Sequence, residues 1–282
     1  MGKEMENKVC AKIKKNAQNN QSRKPAYAGS FYPAGKTQLE SAVYGFLRKA
    51  ALAKAPGVLR ALIVPHAGYV YSSATAGTAY SVLSQLASQP KNILLLGPSH
   101  NALFSGLATC GAAEWQMSMG KVASGAIDEI CGDSDLLIDA CEAHAPEHCL
   151  EVQLPFLQAV MKKDFKVYPA LTSETDEESA ADYLAAAMKK PENFLIVSSD
   201  LSHFFPLAKA KSVDSRSCEI ISSLDVSHAK EIDACGKTGI IIAMLLARKL
   251  GWKCMQLGYS TSAEASGDDS RVVGYGAFAF YK

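Results

Sequence analysis

Three histidines in this chain each stand just past a short apolar run. His66 follows residues 59–64 (LRALIV) and Pro65, and His100 follows residues 92–96 (NILLL) within Gly97-Pro98-Ser99-His100. Asp200 and His203 follow residues 194–197 (FLIV) within Ser198-Ser199-Asp200-Leu201-Ser202-His203. A neutral imidazole is both a metal ligand and a proton carrier near pH 7. In open α/β sheets, ligands bind in the crevice beyond the carboxyl ends of the strands. One histidine after a strand is most often an ordinary loop residue, but three on successive strands point to a shared pocket. The chain has six histidines in all. His144 and His148 have the i,i+4 spacing of helical metal ligands, but Pro146 disfavours helix at Ala145. His148 is therefore assigned to the site, His144 to the surface or rim, and His228, in a polar stretch, to solvent.

Other chemistries fail on spacing. Cys235-Gly236-Lys237-Thr238 resembles the tail of a phosphate-binding loop, but Glu231 stands where that motif needs glycine. Neither a GxGxxG after a strand nor a GxSxG nucleophile elbow occurs. Ser199, Asp200 and His203 lie too close in sequence to adopt the geometry of a hydrolytic triad unaided. The eight cysteines are scattered without a CxxC pair, which excludes a zinc ribbon or thioredoxin motif and makes reduced thiols the simplest expectation.

The elements that must carry these residues follow from apolar periodicity. Thr37 to Glu40 has capping-box form and opens a helix predicted to run to about residue 54. Residues 59–64, 92–96, 165–170 and 194–197 are predicted strands. Residues 73–87, 148–161, 176–189 and 239–250 are predicted helices, and 252–259 and 271–281 closing strands. Such alternation implies βαβ units, hence an α/β domain with a central mixed, largely parallel sheet covered by helices. Nothing splits the chain, so residues 23–282 are expected to be one domain behind a weakly ordered arm at 1–22. That arm has no apolar core of a secretory signal, and the longest apolar run, 240–247, is too short for a bilayer. With reduced thiols and no secretory signal, the chain is expected to be cytoplasmic. Its 282 residues, 48% of them hydrophobic, with a formal charge of +1, suit a sizeable core and a nearly neutral surface. Nucleic acid and membrane are not expected partners.

Several ordered segments resemble one known family: Gly29-Ser30-Phe31-Tyr32-Pro33, Pro65-His66-Ala67-Gly68-Tyr69, Gly97-Pro98-Ser99-His100, Glu147-His148 through Phe156, Ser198 to His203, and Cys235-Gly236-Lys237. Together they are similar to the Memo family, whose prokaryotic members are called AmmeMemoRadiSam system protein B. The likeness covers about residues 23–281. It implies a fold similar to class III extradiol non-haem iron dioxygenases, with His66, His100 and Cys235 as metal ligands. Asp200, His203, His148 and Glu147 would line the same pocket in catalytic roles. A thiolate among the ligands suits Fe(II), with Cu or Zn as alternatives, rather than Mg or Ca. The implied activity is redox or dioxygenase-like. The alternatives are a non-catalytic metal- or peptide-binding protein, or a component acting with AMMECR-like and radical-SAM proteins. The expected ligand is a small molecule or peptide in the metal cleft, with Tyr27, Phe31, Tyr32 and Tyr69 as a possible aromatic rim. Two positions depart from the common pattern: Asn101 replaces a histidine, and Lys237 replaces an arginine, keeping charge but losing the bidentate fork.

Overall fold

The structure, a computed structural model, describes residues 22–50, 54–86, 88–161 and 164–282. The arm predicted at 1–22 lies, but for Ser22, outside them. The strands are β1 (Ser22–Arg23), β2 (Leu59–Val64), β3 (Asn92–Pro98), β4 (Leu107–Thr109), β5 (Glu114–Met117), β6 (Gly120–Ser124), β7 (Leu137–Asp139), β8 (Lys166–Thr172), β9 (Asn193–Ser198), β10 (His203–Phe205), β11 (Lys253–Thr261) and β12 (Val272–Tyr281). The helices are α1 (Lys36–Lys49), α2 (Tyr69–Ser84), α3 (Asp128–Cys131), α4 (Cys141–His144), α5 (Leu154–Val160), α6 (Glu177–Met188), α7 (Leu207–Ser223), α8 (Lys237–Leu250) and α9 (Ala263–Ser266).

Among the described residues one mixed sheet runs β1-β5-β6-β8-β3-β9-β2-β12-β10, with β11 on β12 and β4 on β8. Its centre, β8-β3-β9-β2, is parallel, as the βαβ pattern requires. Strand residues alternate between two cores. Leu62, Val64, Ile93, Leu95, Phe194 and Ile196 face one cluster, together with residues of α1, α2 and α5. Ala61, Ile63, Leu94, Leu96, Leu195 and Val197 face the other, together with residues of α6, α7 and α8. Burial on both faces is why these strands are continuously apolar rather than alternating.

Three expectations change. The helix predicted at the capping box begins at Lys36 behind Gly35, which makes no side-chain cap. Thr37 therefore lies inside α1 rather than capping it. The helix predicted over 148–161 is a 3₁₀ turn, Glu151–Gln153, leading into α5. Pro155 lies in the first turn of α5, where a missing N–H costs nothing, and His148 precedes both. Cys110 and Cys141, expected as thiols, form a disulfide, because the pairing of β7 along β4 brings distant positions together. The other assigned helices hold within a few residues, and Asp176 caps α6 by accepting from the Ser179 N–H at 2.8 Å.

Candidate metal centre

The parallel strands β3, β9 and β2 are neighbours and end at the same edge. His100 lies just beyond β3, Asp200 and His203 beyond β9, and His66 beyond β2. The rings of His66, His100 and His148 form a cluster with centroids 4.7 to 5.4 Å apart. One donor atom from each lies within 4.8 Å of the others.

Each ring is held through Nδ1. His66 is buried, and its Nδ1 stands 3.0 Å from Ser198 Oγ. That hydroxyl donates to the Cys149 carbonyl at 2.6 Å and accepts from Gln153 Nε2 at 2.8 Å. With its proton already committed, Ser198 accepts from His66, so Nδ1 carries the hydrogen and Nε2 presents a lone pair. Glu147, also buried, holds the other two rings. Its Oε1 accepts from His100 Nδ1 at 2.8 Å and lies 3.2 Å from His148 Nδ1. The same carboxylate accepts backbone N–H groups of His100 and His148 at 2.8 and 2.9 Å. Burial opposes the charge on Glu147, but hydrogen bonds from His100 and His148 outweigh it and hold the carboxyl well below the usual range. Such carboxylate–histidine pairs orient metal-binding imidazoles and raise their basicity.

Burial, together with the His148 and His100 rings, pushes His66 well below the ordinary histidine range, so it is neutral and free to ligate. Its Nε2 lies 3.2 Å from Cys235 Sγ. Cys235 reaches His66 because Gly236 packs directly on the end of β9, but its Sγ is not within 4.8 Å of donor atoms of both His66 and His100, which group with His148 instead. A Cβ on Gly236 would stand 2.7 Å from Ser199 Cβ and 2.8 Å from the Ser198 carbonyl oxygen. The Gly236 N–H donates to Ser199 Oγ, and the Asp200 N–H approaches Cys235 Sγ at 3.3 Å. Burial, followed by the Asp200 charge, pushes the Cys235 thiol up to about 12.

Asp200 holds the backbone rather than a ring: its Oδ1 accepts from the His66 N–H at 2.7 Å. Burial raises its carboxyl to about 6, against the pull of that hydrogen bond and of nearby His203 and His148. His203 is partly exposed at the start of β10, beside Phe204. His144, expected at the surface or rim, is instead buried, its Nε2 donating to the Ala108 carbonyl at 2.9 Å. His228 is exposed and paired with Asp225. Of the predicted aromatic rim, Phe31 and Tyr27 pack on His148 at 4.5 and 5.3 Å. Tyr32 and Tyr69 are buried instead, bonded to Glu151 and to the Val152 carbonyl. Asn101 Nδ2 donates to the Pro146 carbonyl, and Lys237 Nζ to the Lys230 carbonyl.

Two residues of this site escaped the sequence reading. Arg23 donates from Nη1 to Glu151 at 2.6 Å and from Nη2 to the carbonyls of His144 and Glu147 at 3.0 and 2.7 Å. Gln153 joins Ser198 to Tyr80, accepting from its hydroxyl at 2.9 Å. Both act through backbone or remote partners, which no spacing rule encodes.

Imidazole nitrogens beside a thiol are donors for borderline and soft divalent ions, and every Nδ1 is already engaged. The residues therefore fit a metal. If Cys235 ligates as thiolate, binding must release its proton. Apparent Co(II) affinity should then rise roughly tenfold per pH unit between about pH 7 and 9. The slope should vanish in Cys235→Ser. A flat wild-type profile would remove Cys235 from the ligand set and leave the three histidines.

Comparison with known proteins places this geometry in context. A family described as Memo-like protein matches residues 23–279. A "MEMO1 family protein" of Nitrosopumilus maritimus is 33% identical over 275 residues, covering 92% of this chain and 99% of the relative. Relatives of the same description from Sulfolobus acidocaldarius and Aquifex aeolicus are 35% and 32% identical. Each covers 90% of this chain and 97% of its own length.

Proposed function

The chain belongs to the Memo-like family, and on that premise we propose that it is a metal-dependent oxidoreductase with one metal held by His66, His100 and Cys235. The observation that carries the metal is the convergence of His66, His100 and His148 with every Nδ1 occupied. Cys235 is included on the family likeness and on its 3.2 Å approach to His66 Nε2. His148 is the neighbouring fourth donor. Fe(II) is the favoured ion, with Cu or Zn as alternatives, since thiolate and imidazole together disfavour Mg and Ca. When bound, iron or copper would supply one-electron chemistry toward an oxidant.

The chain's own groups supply the remainder. Ser198 and Glu147 fix the ring tautomers, and Asp200 fixes the His66 backbone. His203, partly exposed beside the buried Asp200, is the group placed to exchange a proton with a ligand or with solvent. The Tyr27 and Phe31 rings shield His148 from water on one side.

A second reading, a peptide-binding protein using the same cleft, is favoured by a different observation. Val70, Tyr71, Leu103 and Phe204 are large exposed hydrophobics. They lie within four, five, three and one residues of His66, His66, His100 and His203. Exposed apolar groups in the loops and helix start that carry the site histidines suit a ligand with an apolar body.

Anaerobically purified protein is expected to hold close to one equivalent of Fe or Cu by elemental analysis. His66→Ala and His100→Ala are each expected to lose it. Equal low metal in wild type and both variants would sink the metal reading. Metal-loaded protein that consumes O₂ with catechols no faster than free ion would move the assignment to the peptide-binding reading. Among the described residues, no helix is long and apolar enough to cross a membrane.

A further inference from the structure

The disulfide Cys110–Cys141 closes a separation of 31 residues, and its position bears on the metal centre. Cys110 follows β4, and Cys141 opens α4. The segment leading into α4 lies along β4: β7 pairs it in parallel, and the Ala140 N–H donates to the Thr109 carbonyl at 2.9 Å. At the far end of α4, His144 Nε2 donates to the Ala108 carbonyl. Residues 137–144 thus form a strap on β4, fixed by one covalent bond, a few hydrogen bonds to β4 and the Arg23 guanidinium on the His144 carbonyl. Three residues beyond His144 comes Glu147, the carboxylate that orients His100, and next to it His148. Among the described residues this is the disulfide present, while Cys131, Cys149, Cys218, Cys235 and Cys254 are free.

We infer that the thiol–disulfide state of Cys110 and Cys141 regulates the metal centre, the disulfide holding Glu147 and His148 in place and its reduction loosening them. The inference rests on the metal reading above. Its physical basis is preorganisation. A cross-link restricts the open conformations of the loop it closes. Without the disulfide the strap is held by hydrogen bonds to β4 and by Arg23 on the His144 carbonyl, and a segment held that way opens locally at lower free energy than the core. Apparent metal affinity scales with the fraction of molecules that have the strap in place, so it falls as that fraction falls.

The redox step needs a dithiol as reductant. Cys110 is buried and Cys141 partly exposed, so a reductant thiolate attacks Cys141 Sγ. The Sγ–Sγ bond breaks, Cys110 leaves as thiolate and takes a proton, and a mixed disulfide forms at Cys141. The second reductant thiol then displaces Cys141, which is protonated in turn. Two electrons and two protons pass to the protein, and the reductant leaves as its disulfide.

The test compares oxidised protein, protein reduced with dithiothreitol and desalted anaerobically, and the variant Cys110→Ser/Cys141→Ser. Co(II) titrations are followed by visible absorption. The oxidised form is expected to bind roughly fivefold tighter or more than the other two, and the variant to ignore the reductant. Equal dissociation constants in all three overturn the regulation while leaving the metal site standing. No Co(II) binding in any form overturns the metal reading and the regulation with it. Backbone hydrogen exchange supplies a readout independent of metal and of the variant's folding. Residues 144–149 should exchange faster in reduced wild type, and unchanged exchange there overturns the strap.

Discussion

Glu147→Gln is expected to weaken Co(II) or Fe(II) binding by about 10–100-fold, the usual effect of removing a carboxylate behind metal-binding histidines. One Glu147 oxygen serves both His100 Nδ1 and His148 Nδ1. Glutamine keeps a single acceptor oxygen and places an NH₂ where the other accepted from the His100 N–H. Glu147→Ala goes further and leaves several buried donors without an acceptor, each worth about 1–3 kcal/mol. A loss of about 3 kcal/mol or more is therefore expected in urea unfolding. The pH dependence has a definite sign. The folded carboxyl is held below its unfolded value, so its stabilisation is complete above about pH 4.5 and is lost as pH falls below that. The unfolded chain binds the proton first. In Glu147→Gln the acid limb of the stability profile should flatten. An unchanged acid limb together with unchanged metal affinity would mean that Glu147 does not position these rings.

Arg23→Ala is expected to destabilise the fold by about 3–5 kcal/mol, because it strands a buried carboxylate. Glu151 is fully buried, and Arg23 is its cationic partner at 2.6 Å. The guanidinium also lies 4.0 Å over the Trp115 ring and ties down the carbonyls of His144 and Glu147. Glu151 keeps the N–H groups of Ala26 and Tyr27 and the Tyr32 hydroxyl, but no charge partner among these. The double variant Arg23→Met/Glu151→Gln should lose less than the sum of its two singles, since it removes the unpaired charge. Denaturant unfolding of the four proteins measures this, and a single-variant loss below about 1 kcal/mol would show that the pair is not structurally important. Because Arg23 grips the chain on both sides of Glu147, Arg23→Ala should also lower metal affinity.

These two residues mark the boundary between local and tertiary information. Glu147 was legible as part of a pocket motif, but its grip on two rings was not, because the sharing depends on the turn that returns His148 beside His100. Arg23 left no signal at all: its partners lie 121 to 128 residues away and are mostly backbone carbonyls. His144 was misplaced for a related reason, since a buried imidazole satisfied by a strand carbonyl looks in sequence like any polar residue before a proline. The disulfide was equally invisible, because Cys110 and Cys141 meet only through the pairing of β7 with β4.

By itself the sequence determined the α/β class and the delivery of His66, His100, Asp200 and His203 to one sheet edge. Apolar runs of strand length bury both faces, and parallel strands end together. Likeness to the Memo family, not residue spacing, singled out Cys235 from eight cysteines. The tertiary structure alone decided which imidazole nitrogens are free, which residues hold them, and which chain segment is strapped beside them. Those are matters of angles and distances between residues far apart in the chain, and local propensity carries no record of them.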